Sequence, residues 1–526
     1  MDLPKSQSSI FTAAAALQSV LYGLWPVLLV YTITLGDYSP EQLSEPLFFV
    51  GLLNLSLWTL LWLFKMDAAR AAFIVSLFSL ANFFYLPFSE ALTFPAKLFP
   101  VPIPDVAVFS GYFVLLSAAI VVAALGEIHI GKKTLSINFE PLVLPAVVIA
   151  AALCCFNVFT IAKSESHSSV VAKELGERYF PATEKLVVGK NTAKPDVYYV
   201  VIDGFANPAT LKNILGYDNS NFVEYLEQND FYVSHNSCSN HDRTVFSVTS
   251  SLNMGLMSPV LESLGRGNVN SNVPLRLLRD NKVMKLFKRA GYRIVNVCSG
   301  FCPTDYIEQA DVNVRSGWGT GFNMSLLHLT MLGALEPFLH TVENEYANVR
   351  TAPIRRAAEI AALPGPKFVL IHCLLTHPPF IFDEYGRQRP LTKQLLSAPY
   401  VKEPYVGQLK FAEKNLKELL NTICCAGDGE SIVILQSDHG SACTDWHNAS
   451  LFTQERMRIL NAYRVPDSLK AKLYQTITPV NTFRVVLNDL FGANVPMQKD
   501  ESYIAIPPED WRQFQNCTDR LSKSWN

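Results

Sequence analysis

The chain has 526 residues, 49% of them hydrophobic, a formal net charge of −2 and a sequence pI near 6.6. The length leaves room for two or three domains, and the near-neutral charge speaks against a protein that binds nucleic acid or another polyanion. The apolar residues, however, are spread unevenly.

Five windows carry no charged residue: Lys5 to Asp37, Glu45 to Lys65, Arg70 to Glu90, Asp105 to Glu127 and Glu140 to Lys163. Each can hold roughly 20 apolar residues, enough to cross a hydrocarbon core about 30 Å thick. No comparable window follows Lys163. The first window is too long for a cleaved signal peptide and four more follow it, so residues 1–162 are expected to form a bundle of five transmembrane helices. Pro87 falls inside the third window and shortens its helix.

An odd number of spans puts the two ends of this block on opposite sides. Lys5, the Lys65 to Arg70 connection and the Lys132–Lys133 pair fall on one side. The loops with Asp37, Glu41 and Glu45, and with Glu90, Lys97 and Asp105, fall on the other. Basic loops stay cytoplasmic, so the amino terminus is expected inside and everything after Lys163 outside. Eight of the ten cysteines lie in that outer block, and Cys154 and Cys155 in the fifth span. An oxidising compartment permits disulfides, and Cys298 and Cys302 are near enough to share a loop; buried free thiols are the alternative.

Residues 163–194 are mixed and polar and read as a connector with an amphipathic helix at the membrane surface. From residue 195 to 526 short β-rich runs alternate with helical patterns. The runs are Asp196–Ile202, Arg293–Val297, Lys367–Leu375 and Ser431–Gln436. Before the last of them, Leu409, Ala412, Leu416, Leu419 and Ile423 recur at helical spacing. Strands buried on both faces and separated by amphipathic helices predict a mainly parallel α/β sheet flanked by helices.

Three of these strands end in polar residues. Asp203 follows the first, His372 and His377 lie at the end of the third, and Asp438 and His439 follow the fourth. Singly, an Asp-Gly pair is a turn and a lone His a structural residue. Parallel strands would gather all of them at one edge of the sheet, where such folds build their sites. Oxygen and imidazole ligands there suit one divalent ion, Zn²⁺ or Mn²⁺ ahead of Mg²⁺ or Ca²⁺. A nucleophile is offered by SNHDRTVFSVTSSLN, Ser239 to Asn253, whose Ser/Thr-rich part can start a helix and present an anion site at its amino terminus. Chemistry alone leaves Thr244, Ser239, Ser247 and Thr249 open. A hydroxyl beside a divalent cation loses its proton readily.

In order, PDVYYVVIDG, SNHDRTVFSVTSSLNM, HCLLTHPPFIFD, SDHG and ITPVNTFRVVLNDLFG resemble the sulfatase-like branch of the alkaline phosphatase superfamily, over essentially all of the chain after Lys194. The five-span block is similar in layout to membrane phosphoethanolamine transferases and lipoteichoic acid synthases. The resemblance implies an alkaline phosphatase-like fold with Asp203, Asp438, His439 and Thr244 on the metal. It makes Thr244 the nucleophile that is transiently phosphorylated, places His377 on the phosphoryl oxygens, and gives His372 a supporting role. Two features depart from the pattern. Sulfatases modify a Cys or Ser in C/S-x-P-x-R, and Ser239 to Arg243 has His241 in place of the Pro, which argues against sulfate-ester hydrolysis. The Asp-x-x-x-His of two-metal phosphatases is missing, which favours one tight metal.

Weaker candidates are Arg243 as a phosphate clamp, with a surface or salt-bridged residue as the alternative, and His447, near the proposed metal pair, as a substrate contact or a plain loop residue. GWGTGF, Gly317 to Phe322, superficially like a phosphate loop, reads as a flexible loop that opens no helix. Trp58, Trp62 and Tyr85 read as lipid or packing contacts.

The expected function is transfer of a phosphoethanolamine or phosphoglycerol head group from a phospholipid donor to an envelope glycan or lipid, on the periplasmic side of a bacterial inner membrane. The alternatives are a membrane phosphodiesterase or phosphatase, with a sulfatase behind it, and a catalytically silent envelope protein that binds glycan or a partner. Nothing in the sequence specifies an oligomeric state.

Overall fold

The structure, a computed structural model, describes residues 5–98, 105–130, 133–182, 194–265, 272–315, 317, 321–335, 341–389, 401–425, 430–506 and 514–522. Lys132, most of the connector after residue 182 and the middle of GWGTGF therefore lie outside the described residues. The chain divides into two compact units, Met1–Ser166 with Gly319–Val342, and His167–Trp318 with Glu343–Asn526.

The first unit is helical. Four helical segments are long and apolar enough to cross a membrane: Ser9–Ile33, Pro40–Leu63, Val108–Leu125 and the start of Glu140–Tyr179. A bent pair, Ala68–Phe83 and Tyr85–Ala91, makes a fifth if counted as one span. The pair bends by 59°. Pro87 gives the reason: it has no N–H to bond the carbonyl four residues back, at Phe83, and its ring crowds that oxygen, so the first helix stops there. Phe113, Leu115, Phe156 and Phe159 are all more than half exposed, a surface suited to lipid rather than water. Ala68–Phe83 is central instead, with Ala69, Ala71 and Ala72 fully buried. Small residues also admit polar contacts between helices. Ser79 Oγ donates to Asn54 Oδ1 at 2.5 Å, and a Cβ on Gly23 would displace Asn54.

Two features of this unit were not legible in the sequence. Strands β1 (Glu127–Ile130) and β2 (Lys133–Ser136) pair antiparallel. Residues 319–342 also belong to this unit. Gly321, part of GWGTGF, opens a helix, Gly321–Leu329, which corrects the loop reading of that end of the motif. The helix forms because Phe322 is fully buried against Tyr31 and Tyr38 while Ser325 bonds the Tyr38 hydroxyl at 2.6 Å. Those partners are almost 300 residues away in sequence.

The second unit is built on a seven-stranded sheet. Its strands are β3 (Val197–Ile202), β4 (Tyr232–Val233), β5 (Arg293–Val297), β6 (Val312–Val314), β7 (Lys367–Cys373), β8 (Ile432–Ser437) and β9 (Asn461–Arg464). They lie in the order β4-β9-β8-β3-β7-β5-β6. β8, β3, β7, β5 and β6 are parallel, and β9 is antiparallel to both of its neighbours. The expectation of a mainly parallel sheet flanked by helices holds. The central strand β3 is buried on both faces, as a β-branched and aromatic run in such a sheet should be. Val197, Tyr199 and Val201 face the helices Thr244–Asn253, Lys282–Arg289 and Pro479–Phe491. Tyr198, Val200 and Ile202 face Ser220–Gln228 and Lys402–Cys424. The predicted stripe Leu409, Ala412, Leu416, Leu419 and Ile423 is fully buried. A short antiparallel pair, β10 (Tyr503–Ala505) and β11 (Phe514–Asn516), completes the unit.

The helix Glu140–Tyr179 runs without a break through the start of the predicted connector. Ala172 and Leu175 in its last turns, and Phe180 just after it, pack with Phe246 and Met257 near the Thr244 helix.

Candidate metal centre and nucleophile

Strand register explains how distant residues meet. β3 lies between β7 and β8, with Ile202 opposite Ser437 on one side and Val201 opposite His372 on the other. One step past the strand ends, Asp203 and Asp438 stand side by side. Alternation carries Asp203, His372 and Asp438 to the face on which Val201 packs, the face covered by the helix Thr244–Asn253. Thr244 is the first residue of that helix, so its hydroxyl sits where the helix end favours negative charge.

All of these groups are buried. Thr244 Oγ1 donates to Asp203 Oδ2 at 3.1 Å and lies 3.2 Å from His439 Nε2. His439 Nε2 is 3.2 Å from Asp438 Oδ2 and 3.8 Å from Asp203 Oδ1, and His372 Nε2 is 3.4 Å from Asp203 Oδ2. Asp203, His372 and Asp438 each offer an atom within 4.8 Å of the others. Asp203 Oδ1, Asp438 Oδ2 and His372 Nε2 are buried without a hydrogen-bond partner among the described residues. Buried polar atoms are normally satisfied, so this convergence of unsatisfied oxygen and nitrogen lone pairs fits a divalent cation.

The surrounding chain fixes each ligand. Asp438 Oδ1 accepts from the amides of Gly204 at 3.0 Å and His439 at 2.9 Å. The carbonyl of Gly440 accepts His439 Nδ1–H at 3.0 Å, which leaves Nε2 as the lone-pair nitrogen. Arg456 Nη1 donates to the same carbonyl at 3.0 Å. Thr304 Oγ1 lies 2.6 Å from His372 Nδ1 and holds that ring from its far side. The Tyr405 hydroxyl donates to Gly204 O at 2.9 Å and accepts from the Ala206 amide at 3.3 Å, holding the turn after Asp203. Thr304 and Tyr405 carry no sequence signal; only the fold brings them here.

Electrostatics separate the two acids. Burial disfavours an ionised Asp203, but His377, His372 and His439 outweigh it and hold its carboxyl well below the usual range. Burial and then the Asp203 charge push Asp438 up to about 7. Two adjacent buried carboxylates do not both ionise unless a cation lies between them. Burial also keeps His439 and His377 below the ordinary histidine range, with Asp203 pulling both upward.

The open choice among hydroxyls has a geometric side. Ser239 is fully buried, and its Oγ donates to the carbonyls of Asp438 and His241. Ser247 lies 3.1 Å from Ser239 Oγ, and Thr249 Oγ1 bonds the carbonyl of Val245 within its own helix. Thr244 alone of the four touches the ligand atoms. His377 is half-buried on the turn after β7, its Nδ1–H directed to Pro378 O, and the Phe301 ring lies 6.1 Å from its ring and 5.5 Å from that of His372. Arg243 is the half-buried residue that caps the Thr244 helix, with its charge beside Asp242. His447 is exposed, bonded to Asp445 at 2.7 Å and stacked on Trp446. His241 is buried, stacked on Tyr503, and accepts the Met257 amide at 3.1 Å.

Among solved structures, the chain is similar to the C-terminal periplasmic domain of EptC from Escherichia coli, with 13% identity, 64% of this chain and 96% of that one covered, and a TM-score of 0.41. It is similar to the integral membrane protein lipooligosaccharide phosphoethanolamine transferase A (EptA) from Neisseria meningitidis, with 13% identity, coverage of 92% and 95%, and a TM-score of 0.41. For the C-terminal periplasmic domain of the phosphoethanolamine transferase EptC from Campylobacter jejuni the identity is 16%, the coverage 57% and 90%, and the TM-score 0.35. No curated protein matches the sequence. A family model described as Sulfatase matches residues 195–479, which begins just before β3 and takes in Asp203, Thr244, His372, His377, Asp438 and His439. That match spans more than half of the 526 residues, and the chain belongs to the sulfatase family.

Proposed function

We propose that this protein is a bacterial inner-membrane enzyme that moves a phosphoethanolamine or phosphoglycerol head group from a phospholipid to an envelope glycan or lipid. The observation that carries the reading is the Thr244 hydroxyl, at a helix amino terminus and in contact with both Asp203 and His439, on a chain that also bears apolar helices of membrane-spanning length. The catalytic unit acts on the periplasmic side, with the amino terminus in the cytoplasm. Holding the site at the bilayer raises the effective concentration of a donor that never leaves it.

Asp203, Asp438, His439 and Thr244 would hold one divalent ion, Zn²⁺ or Mn²⁺, with His372 beside them. When bound, that ion supplies positive charge that acidifies the hydroxyl and offsets charge on the phosphoryl oxygens. Thr244 Oγ attacks the donor phosphorus, and Asp203 Oδ2 accepts the hydrogen bond that orients it. The ester bond to diacylglycerol breaks, leaving phospho-Thr244, and the acceptor hydroxyl then attacks that phosphorus and regenerates Thr244. His377 presents Nε2, because its Nδ1–H is directed to Pro378 O. Burial lowers its pKa and favours the neutral imidazole, and the negative charge of an incoming phosphate favours the protonated ring.

The test is mass spectrometry of envelope lipids and glycans from cells with the intact gene, without it, and with Thr244→Ala. A phospho-head-group adduct present only with the intact gene supports transfer through Thr244. If Thr244→Ala matches the intact gene the nucleophile is wrong, and if all three envelopes match, a hydrolase or a binding role moves ahead of transfer.

A further inference from the structure

The turn that carries His377 is held from behind by a residue that no motif marks. Arg350 lies on the helix Thr341–Arg355 and is 3% exposed. Its Nη1 donates to Leu374 O at 3.1 Å and to the His377 carbonyl, and its Nη2 donates to Pro378 O at 2.8 Å. One guanidinium thus gathers three carbonyls of a single turn. Gln408, on the helix Lys402–Cys424, supports the same turn: its Oε1 accepts the Phe382 amide at 2.8 Å and its Nε2 reaches His377 O at 3.5 Å.

The Pro378 carbonyl has two donors, and this is what links Arg350 to chemistry. It accepts His377 Nδ1–H as well as Arg350 Nη2. The oxygen that selects the His377 tautomer and aims its Nε2 is therefore itself pinned by Arg350. A planar fork suits carbonyls that converge on separate nitrogens, whereas a lysine ammonium carries all of its donors on one centre and cannot copy that spacing.

We propose that Arg350 is a positioning residue that acts through Pro378 O to orient the His377 imidazole. The proposal rests on the reading of His377 as a group that meets the transferring phosphoryl. The test is a double-mutant cycle on the full chain in detergent, with fluorescent-tailed phosphatidylethanolamine and phosphatidylglycerol micelles as probes and diacylglycerol release as readout. His377→Ala should lower kcat about 100-fold, and Arg350→Met about 10-fold or more with KM little changed. The double variant should be no slower than His377→Ala alone, because both remove the same contribution. Arg350→Lys should recover only part of the loss.

A double variant slower by the product of the two single effects overturns the proposal, as does full activity in Arg350→Met. If His377→Ala retains full rate, or neither probe turns over, the reading of the site fails instead. A second measurement is independent of turnover. In ¹⁵N-histidine spectra the wild type should show His377 with Nδ1 protonated and Nε2 free, and Arg350→Met should show a tautomer mixture. An unchanged His377 signature in a folded Arg350→Met protein also overturns the proposal.

Discussion

Replacing Asp438 by Asn should stabilise the protein stripped of divalent metal and abolish the stabilisation that added metal provides. Asp438 is 3% exposed, and its Oδ2 lacks a hydrogen-bond partner among the described residues. Burial, with the Asp203 charge behind it, moves its carboxyl from 3.8 up to about 7. A folded-state value above the unfolded one means that the folded protein prefers the protonated acid. The contribution is fully present below pH 3.8 and is lost as pH rises through about 7. Three pH units at about 1.4 kcal/mol each give roughly 4 kcal/mol of penalty at pH 8 as an upper bound. The amide keeps Oδ1 as an acceptor for Gly204 and His439 and has no charge to desolvate. In EDTA at pH 8 the Asn variant should melt a few degrees above wild type, and the difference should shrink at pH 5. Added Zn²⁺ or Mn²⁺ at 100 times its dissociation constant should stabilise wild type by about 2.7 kcal/mol and the variant hardly at all. Calorimetry of the full chain in detergent reads both. A variant that melts below wild type in EDTA at pH 8, or that gains as much from metal, refutes the reasoning.

Thr244→Ser keeps a hydroxyl at the helix start and should retain a measurable share of diacylglycerol release, whereas Thr244→Ala should lose about a thousandfold or more; equal losses would remove the nucleophile role. Tyr405→Phe deletes a hydroxyl that serves Gly204 O and the Ala206 amide, and should cost about 1–3 kcal/mol by chemical denaturation. Gly440→Ala would drive a Cβ into the Glu455 carbonyl oxygen, so it should destabilise the unit by about 3 kcal/mol or more and weaken metal binding, read by calorimetry and metal titration. Burial, opposed by Asp203, keeps His377 below 6.5, so the acid limb of kcat/KM should be centred below that pH. An acid limb centred at or above 6.5 would contradict this.

The apolar windows and the four central strands could be read from the sequence because their signal is local. A run such as Val197–Ile202 has to be buried on both faces whatever its neighbours are, and a window without charge has one natural solvent. Asp203, His372, Asp438 and His439 were legible as candidates for the same reason: they sit at or next to the ends of such runs. The outer strands β4, β9 and β6 are two to four residues long and carry too little periodicity to be seen without their partners.

Tertiary structure decided what depends on pairing across the chain. The register of β3 with β7 and β8 placed Asp203 between His372 and Asp438. Packing turned Ser239 into the interior and left Thr244 against the carboxylates. Phe322 joined the apolar helices through Tyr31 and Tyr38, and Arg350 reached the His377 turn from 27 residues away. Hydropathy and strand ends are properties of a segment; which hydroxyl meets a carboxylate, and which guanidinium meets a carbonyl, are properties of segments brought together only by the folded core.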